Sequence, residues 1–199
     1  MTEIELKVHV EDRDTLIEKL NTFATYTNCI QRDDFYWGSS DSCRNKIRIR
    51  KESGVPKEPR ETFPETIVTY KRKELRTNAQ GQAVEVNDEK ECTISNPEPL
   101  EAFLTDIGYS VVLKKHKSVM VWMMKTNPQK ESSISFELCN VPPLGDFLEI
   151  EILTKDDSEE NVKSAQEKLF ALLDMTGIGR DKIENRYYSE MLKDLPSAE

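Results

Sequence analysis

The sequence is poor in the residues that mark several common classes of protein. It has only two histidines, and its four cysteines are scattered without a Cys-x-x-Cys pair. The clustered ligands of a structural zinc site are therefore absent. We expect the cysteines to be reduced thiols, with two disulfides in an exported protein as the alternative. They are Cys29, Cys43, Cys92 and Cys139.

Long apolar runs are also missing. The longest strictly apolar run, Val119–Met124, is far shorter than the roughly 20 residues that cross a membrane. The N-terminus shows no basic segment followed by an apolar one, so no signal peptide is predicted. We expect a cytoplasmic protein that does not act on a membrane.

Net positive charge and glycine are scarce as well. Lys and Arg number 28 against 37 Asp and Glu, a formal net charge of −9, so bulk attraction to nucleic acid is weak and we expect no such partner. The seven glycines form no Gly-x-x-x-x-Gly-Lys-Ser/Thr and no Gly-x-Gly-x-x-Gly loop. If a phosphate binds, side chains must bind it. The chain length suits one domain, over residues 1–199.

What the sequence does contain is strand-like alternation of apolar and polar residues. We predict strands over 3–10, 33–37, 46–51, 66–74, 83–94, 110–124, 133–140 and 147–154. Short helices are predicted at the joins: one entered through a Thr15-x-x-Glu18 capping box, two on apolar stripes near 100–107 and 162–172, and one near 184–194. The pattern favours an α+β fold, an eight-stranded antiparallel barrel with helices packed outside.

The polar faces of these strands carry full charges that segregate into acidic and basic doublets. Glu3, Glu5 and Lys7 share one face of the first strand because side chains alternate with period two. A solvated face is the ordinary explanation for any single strand. If the sheet closes, however, the charged faces line an internal channel. The other doublets are Arg48 and Arg50, Lys71 and Lys73, Glu89 and Glu91, Lys115 and Lys117, and Glu149 and Glu151.

Such a channel suits the chemistry of a triphosphate. Carboxylates two residues apart on one strand suit Mg²⁺ (or Mn²⁺), which takes oxygen ligands together with substrate phosphates. Facing arginines and lysines would hold phosphate oxygens, arginine with two hydrogen bonds at once. Metal and cations together neutralise and orient the phosphates for reaction at phosphorus.

The ordered motifs resemble those of the CYTH superfamily, the triphosphate tunnel metalloenzymes. Glu3-Ile-Glu5-Leu-Lys7 is similar to the Glu-x-Glu-x-Lys signature of that family. The motifs that follow in the family's order are Arg48-Ile-Arg50, Thr69-Tyr-Lys71, the Glu89/Glu91 strand, Lys115-x-Lys117 and Leu144–Glu151. Within the superfamily, the stretches 3–16, 107–109, 115–118 and 144–147 look most like class IV adenylyl cyclases.

The resemblance implies a tunnel of eight antiparallel strands that converts ATP into 3′,5′-cyclic AMP and pyrophosphate. It implies that Glu5 and Glu149 hold Mg²⁺ (or Mn²⁺), with Glu3 and Glu151 beside them. The triphosphate would be held by Lys7, Arg48, Arg50, Lys71, Lys73, Lys115 and Lys117, of which Lys7, Arg50 and Lys71 would be catalytic.

Two positions depart from the cyclase pattern. Lys117 stands where these cyclases usually have Arg, and it lacks the two-pronged hydrogen bonding of a guanidinium. Cys139 stands where the family usually has Asp, and a neutral thiol is a poor ligand for Mg²⁺. Glu137 lies two residues before it on the same face and is able to compensate.

Three functions therefore remain open: ATP cyclisation, hydrolysis of tripolyphosphate or thiamine triphosphate in the same tunnel, and a non-catalytic polyphosphate- or nucleotide-binding module. A homodimer is compatible with each of them. The aromatic residues 35–37 would form either a base pocket or core and rim. His116 is predicted to face outward, and Tyr187 and Tyr188 to pack the last helix, with one hydroxyl reaching the tunnel.

Overall fold

The computed structural model describes residues 2–39, 47–54, 64–77, 83–124 and 133–195. Cys43 lies outside these ranges. The strands are β1 (Thr2–Val10), β2 (Thr25–Gly38), β3 (Ile47–Gly54), β4 (Glu65–Thr77), β5 (Ala83–Ile94), β6 (Ser110–Met124), β7 (Ile134–Val141) and β8 (Gly145–Thr154). The helices are α1 (Arg13–Asn21), α2 (Glu98–Asp106), α3 (Glu159–Thr176) and α4 (Tyr188–Lys193), with a 3₁₀ turn at Arg180–Lys182.

The strands form an antiparallel sheet in the order β1-β5-β4-β3-β2-β6-β7-β8, and β8 pairs with β1, so the pairings describe a closed barrel. The predicted α+β class and antiparallel sheet are confirmed. β5 and β6 have the predicted bounds. β2 was predicted too short: it begins at Thr25 and runs antiparallel to both β3 and β6.

The larger apolar cluster lies outside the barrel wall, under α1 and α3. Ile4 and Leu6 of β1 and Leu148 of β8 contribute from the strands, and Leu20 and Leu169 from the helices, each at most 2% exposed. Because side chains alternate along a strand, packing these apolar faces against helices turns the charged faces inward. A second outer cluster, Trp37, Ile49 and Leu104, packs β2 and β3 against α2.

The ends of the helices follow local chemistry. Asp12, and not the predicted Thr15-x-x-Glu18 box, caps α1: its carboxylate accepts hydrogen bonds from the Thr15 backbone N–H (3.0 Å) and hydroxyl (2.7 Å). An aspartate before the first turn meets an otherwise unpaired N–H. α3 ends at Gly177, whose φ of 83° is costly for a residue with a Cβ.

The segment after α3 returns to β1 and then enters the barrel. Ile183 bridges to Val8, and the Glu184 N–H donates to the Lys7 carbonyl at 2.9 Å. This segment is irregular where the sequence predicted a helix from residue 184, because its backbone pairs with β1. α4 then places Tyr188 and Met191 in an inner apolar cluster with Phe147, Val119 and their neighbours.

Three cysteines lie in the described ranges, and all are free: Cys29 and Cys92 are exposed and Cys139 is buried. None of the helices described is long and apolar enough to cross a membrane.

The packing of α3 leads to a stability prediction. Leu169→Ala should lower the free energy of unfolding by about 2–5 kcal/mol, because the side chain is fully buried between α3 and the barrel wall. Met175→Ala is the matched control on the same helix, since Met175 is 41% exposed, and it should change stability little. Urea unfolding of both variants measures the difference. Equal effects would mean that α3 is not anchored through this face.

Candidate active site inside the barrel

Cross-strand register places the charged doublets on one inward face. Directly opposed residues share a face of the sheet. Glu5 lies opposite both Glu85 and Glu151, and Lys7 lies opposite Glu149. Of the predicted site residues, those whose side chains are described and which lie on this face are Glu3, Glu5, Lys7, Arg48, Arg50, Lys115, Lys117, Glu149 and Glu151.

Two predicted triphosphate ligands are described only through their backbone. Lys71 lies opposite Glu89 and Lys73 opposite Asn87 in the β4–β5 register. The side chains of Lys71, Lys73 and Glu89 lie outside the described part of the chain.

Three carboxylates converge at one site, which we call the carboxylate triad: Glu3, Glu5 and Glu151, each with an oxygen within 4.8 Å of the others. The Ser135 hydroxyl donates to Glu151 at 3.0 Å. Partial burial and the nearby carboxylates, Glu137 and the triad's own, raise the pKa of Glu151 well above its usual value. The neighbouring carboxylates therefore repel the charge of Glu151, and a divalent cation among them would relieve that repulsion.

The remaining predicted metal ligand, Glu149, belongs to a different group, which we call the thiol cluster: Glu137, Cys139 and Glu149, also within 4.8 Å. The Lys117 ammonium donates to Glu149 at 2.8 Å and lies 3.4 Å from Glu137. Burial alone would raise the pKa of Glu149, but Lys117 outweighs it and holds the pKa well below its usual range. The structure thus divides the four predicted metal ligands between two clusters.

Arg32 completes the balance of charge around the thiol cluster. Its guanidinium pairs with Glu137 and with Glu52 of β3, both at 2.6 Å. Burial and Glu149 raise the pKa of the Cys139 thiol well above its usual value, so this thiol is neutral at physiological pH.

A separate pair of cations is held by Asp34, which is 1% exposed. Arg50 donates two hydrogen bonds to it, at 2.7 and 3.1 Å, and the Lys115 ammonium lies 3.0 Å away. Burial alone would raise the pKa of Asp34, but Lys115 and Arg50 hold it well below its usual value. Asp34 therefore fixes two of the predicted phosphate-binding cations in place.

Arg48 extends the basic side of the site toward β4 and β5. It donates to the Thr69 hydroxyl at 3.0 Å and pairs with Glu91 at 3.1 Å. Thr69 is itself buried and donates to Glu91 at 2.7 Å. Glu91, the second residue of the predicted Glu89/Glu91 doublet, therefore forms an ion pair with Arg48.

Lys7 and Tyr188 connect the site to the C-terminal segment. The Lys7 ammonium donates to the Arg186 carbonyl at 2.6 Å and lies 3.8 Å from Glu85. It also lies 4.6 Å from the centre of the Tyr188 ring. The Tyr188 hydroxyl makes no hydrogen bond of normal geometry within the described ranges, and burial together with Glu149 raises its pKa well above its usual value.

The remaining aromatic residues and the histidine singled out in the sequence lie on different faces of the barrel wall. Phe35 and Trp37 pack in the outer cluster with α2, whereas Tyr36 lies opposite Arg48 on the inward face. His116 faces outward, as predicted, where it pairs with Asp33 at 2.8 Å.

Sequence reasoning missed four participants: Arg32, Asp34, Asn87 and, as a partner of Lys7, Glu85. Arg32 and Asp34 alternate on β2 with opposite charges, so they do not form a doublet of one sign, and Arg32 lay before the predicted strand start. Asn87 is completely buried, and neither of its amide atoms has a hydrogen-bond partner among the described residues. The signal for all four is the same period-two spacing that identified the doublets.

Comparisons with known proteins identify a family for this chain. The profile of the CYTH domain family matches residues 1–188. A Methanocaldococcus jannaschii protein named "Putative adenylate cyclase" is 24% identical over 196 residues, 96% of this chain and 98% of its own.

Solved structures show the same fold. A Pyrococcus horikoshii protein is 25% identical with a TM-score of 0.72, covering 96% of this chain and 98% of its own. A Hippeastrum protein is 16% identical with a TM-score of 0.63, covering 96% and 94%. Its title describes a "putative adenylyl cyclase" that "reveals a dominant" triphosphatase activity.

Repulsion between the carboxylates of the triad leads to a prediction about the stability of the metal-free protein. Glu151→Gln should raise the free energy of unfolding at pH 7, because it removes a carboxylate that its neighbours repel. A carboxyl group whose pKa is higher in the folded chain destabilises the fold above that pKa, and this effect disappears below its unfolded value. The gain should therefore vanish at about pH 4, below the ordinary value of 4.5.

Denaturant unfolding at both pH values measures this gain, with the exposed Glu160 of α3 changed to Gln as the control. Added Mg²⁺ should stabilise the unmodified protein more than Glu151→Gln. Equal stability of Glu151→Gln and unmodified protein at pH 7 would show that the neighbouring carboxylates do not destabilise the charged form of Glu151.

Proposed function

The chain belongs to the CYTH domain family, and from this membership we propose that it is a metal-dependent enzyme acting on a triphosphate. More specifically, we propose a reaction like that of class IV adenylyl cyclases, in which ATP gives 3′,5′-cyclic AMP and pyrophosphate. The proposal takes residues 1–199 as one cytoplasmic domain. The observation that carries it is the carboxylate triad facing the same barrel interior as a group of buried cations.

The donor set of the triad fits Mg²⁺ or Mn²⁺. Glu3, Glu5 and Glu151 offer only hard oxygen ligands, which these cations prefer. The raised pKa of Glu151 reflects its burial and the repulsion of the neighbouring carboxylates. A bound ion there would neutralise phosphate charge and polarise the reacting phosphorus. Glu149 supports the site indirectly, because its carboxylate is already paired with Lys117.

The cations of the barrel are suited to hold phosphate oxygens. Asp34 already accepts two hydrogen bonds from Arg50, and two oxygens of a phosphate group offer acceptors of similar spacing and charge. We propose that Arg50, Lys115 and Lys7 bind the triphosphate beside their present partners. Arg48 and, by their position on β4, Lys71 and Lys73 complete the set, with Lys7, Arg50 and Lys71 acting on the reacting phosphate.

Preorganisation is the catalytic contribution of these residues. Arg50 is held by Asp34 and Lys7 by the Arg186 carbonyl, so neither side chain must be ordered when charge develops on the phosphate. Donors that are already fixed in a protein interior stabilise developing charge more than water does. They need no reorientation during the reaction, and the interior screens their charge less than water would. The amide of Asn87, which has no hydrogen-bond partner among the described residues, offers a further neutral hydrogen-bonding group on this face.

Cyclisation and hydrolysis differ only in the nucleophile. In cyclisation the ribose 3′-hydroxyl attacks the α-phosphorus and pyrophosphate leaves. In hydrolysis water attacks and the same cations hold the leaving phosphate. Hydrolysis of tripolyphosphate or thiamine triphosphate is the second candidate, because the Hippeastrum protein of the same fold is described as having a dominant triphosphatase activity.

Product analysis tests the proposal. The full chain, incubated with Mg²⁺ or Mn²⁺ and with ATP, tripolyphosphate or thiamine triphosphate in turn, should release cyclic AMP and pyrophosphate from ATP. Glu5→Gln should abolish turnover, since it removes a ligand of the triad. Orthophosphate from any substrate without cyclic AMP would establish the hydrolase instead. Binding of a triphosphate without any product would establish the non-catalytic module.

The cation set is tested by substituting two adjacent residues of β3. Arg50→Ala should weaken tripolyphosphate binding about tenfold or more, because charge-assisted hydrogen bonds worth roughly 1.5–3 kcal/mol are lost. Lys51→Ala is the control, since Lys51 is exposed and lies 5.2 Å from the outward-facing Phe35 ring.

The shift in melting temperature caused by tripolyphosphate, together with turnover, measures the effect of each variant. Loss of the shift in both variants, or in neither, would contradict the assignment of Arg50.

A further inference from the structure

The barrel contains two groups of metal-type ligands, and the groups differ in what balances their charge. The carboxylate triad offers three oxygens, whereas the thiol cluster offers two oxygens and the sulfur of Cys139. Oxygen ligands suit Mg²⁺, while a set that includes a thiolate favours softer ions such as Zn²⁺ or Co²⁺. Two different ions would fit if both groups were available.

An ammonium group already lies among the ligands of the thiol cluster. The Lys117 Nζ lies 2.8 Å from Glu149, 3.4 Å from Glu137 and 3.5 Å from the Cys139 sulfur. A lysine ammonium has three N–H donors and no acceptor, so its hydrogen-bonding capacity matches the three ligand atoms around it. Lys117 is 4% exposed.

The charges of the thiol cluster are thereby balanced. Two carboxylates, Glu137 and Glu149, face two cations, Lys117 and Arg32. Arg32 also pairs with Glu52, which lies 3.8 Å from a further cation, Arg50. Cys139 donates its S–H to Glu149 at 3.5 Å. The triad differs: within the part of the chain that the structure describes, Glu151 makes no ion pair and accepts one hydrogen bond, from Ser135.

Apolar side chains lie beside the thiol cluster. Val119, Val121 and Phe147 are buried in the same inner apolar cluster, and the Tyr188 ring centre lies 6.0 Å from the ammonium. A metal ion entering the thiol cluster would separate the ammonium from Glu137 and Glu149, with which it is now paired. Depriving a buried charge of its partners is strongly unfavourable.

We propose that Lys117 is a built-in cation that takes the position of a metal ion in the thiol cluster, so that the barrel binds one divalent ion, at the triad, and excludes thiol-binding metals. The inference rests on the proposed function for the triad and adds a role for Lys117 that differs from phosphate binding. It also gives Cys139 a role as a neutral hydrogen-bonding partner in place of a ligand.

The first test counts ions on the full chain. Titration with Mn²⁺, followed by the electron paramagnetic resonance signal of the free ion, should show one bound ion per chain. Glu5→Gln should lose it and Glu137→Gln should keep it. Two bound ions, or loss of the ion in Glu137→Gln alone, would overturn the role of Lys117. Absence of any bound ion in the unmodified protein would instead contradict the metal site of the proposed function.

The second test uses Co²⁺, whose bond to a thiolate gives a charge-transfer band in the near ultraviolet. The unmodified protein should show no band that depends on Cys139, as judged against Cys139→Ser, which controls for the exposed Cys29 and Cys92. Lys117→Met should gain such a band and one additional ion, and Cys139→Ser combined with it should remove the band. Lys115→Met, two residues away on the same face, should gain neither.

Either of two results overturns the proposal. One is a Cys139-dependent band in the unmodified protein, which would show a metal ion bound beside Lys117. The other is a Lys117→Met protein that folds, as judged by circular dichroism, yet gains no ion. If Lys117→Met does not fold, the Cys139-dependent band in the unmodified protein alone decides. These readouts are independent of turnover, so they stand whichever triphosphate reaction the enzyme performs.

Discussion

The pairing of buried charges is the constraint on which this structure depends. Lys7, Lys115 and Lys117 are each less than 9% exposed, and an unpaired charge at that depth would be strongly unfavourable. Each is held close to at least one carboxylate, Glu85, Asp34 or Glu149 respectively. The inward face is therefore stable only as a network, and the carboxylates are as necessary to the fold as the cations they hold.

The barrel can carry such an interior because its apolar surface lies on the other side of the wall. Ile4, Leu6 and Leu148 alternate with Glu5, Lys7 and Glu149, and they pack under α1 and α3. The helices thus provide the hydrophobic core that the inside of the barrel lacks. Among the residues that the structure describes, the interior has an apolar region where α4 brings Tyr188 and Met191 against Phe147. This region adjoins the buried ion pairs of Lys115 and Lys117.

The pairing of charges differs from one part of the interior to another, and this difference supports the proposed function. At the thiol cluster and around Asp34, positive and negative charges match, so these side chains are rigid and pre-oriented. At the triad, carboxylates lie together and the pKa of Glu151 is raised. Under the proposed function, a divalent cation would bind among these carboxylates and the neighbouring oriented cations would hold the phosphates. Triphosphate chemistry requires that combination.

The sequence by itself determined which faces are charged. Period-two alternation in residues 3–8, 47–50 and 148–152 identified the inward doublets, and the motif order identified the family, because both signals are local. The sequence did not determine which charges meet. That Glu5 lies opposite Glu151, and Lys7 opposite Glu149, is a matter of register between β1 and β8, more than 140 residues apart.

Asp34 and Arg32 were missed because their partners come from β3, β6 and β7, and Tyr188 reaches the site only because the C-terminal segment returns to β1. Closing the strands around one interior decides these neighbours, since each strand's register is set by both strands that flank it and no local pattern contains that information.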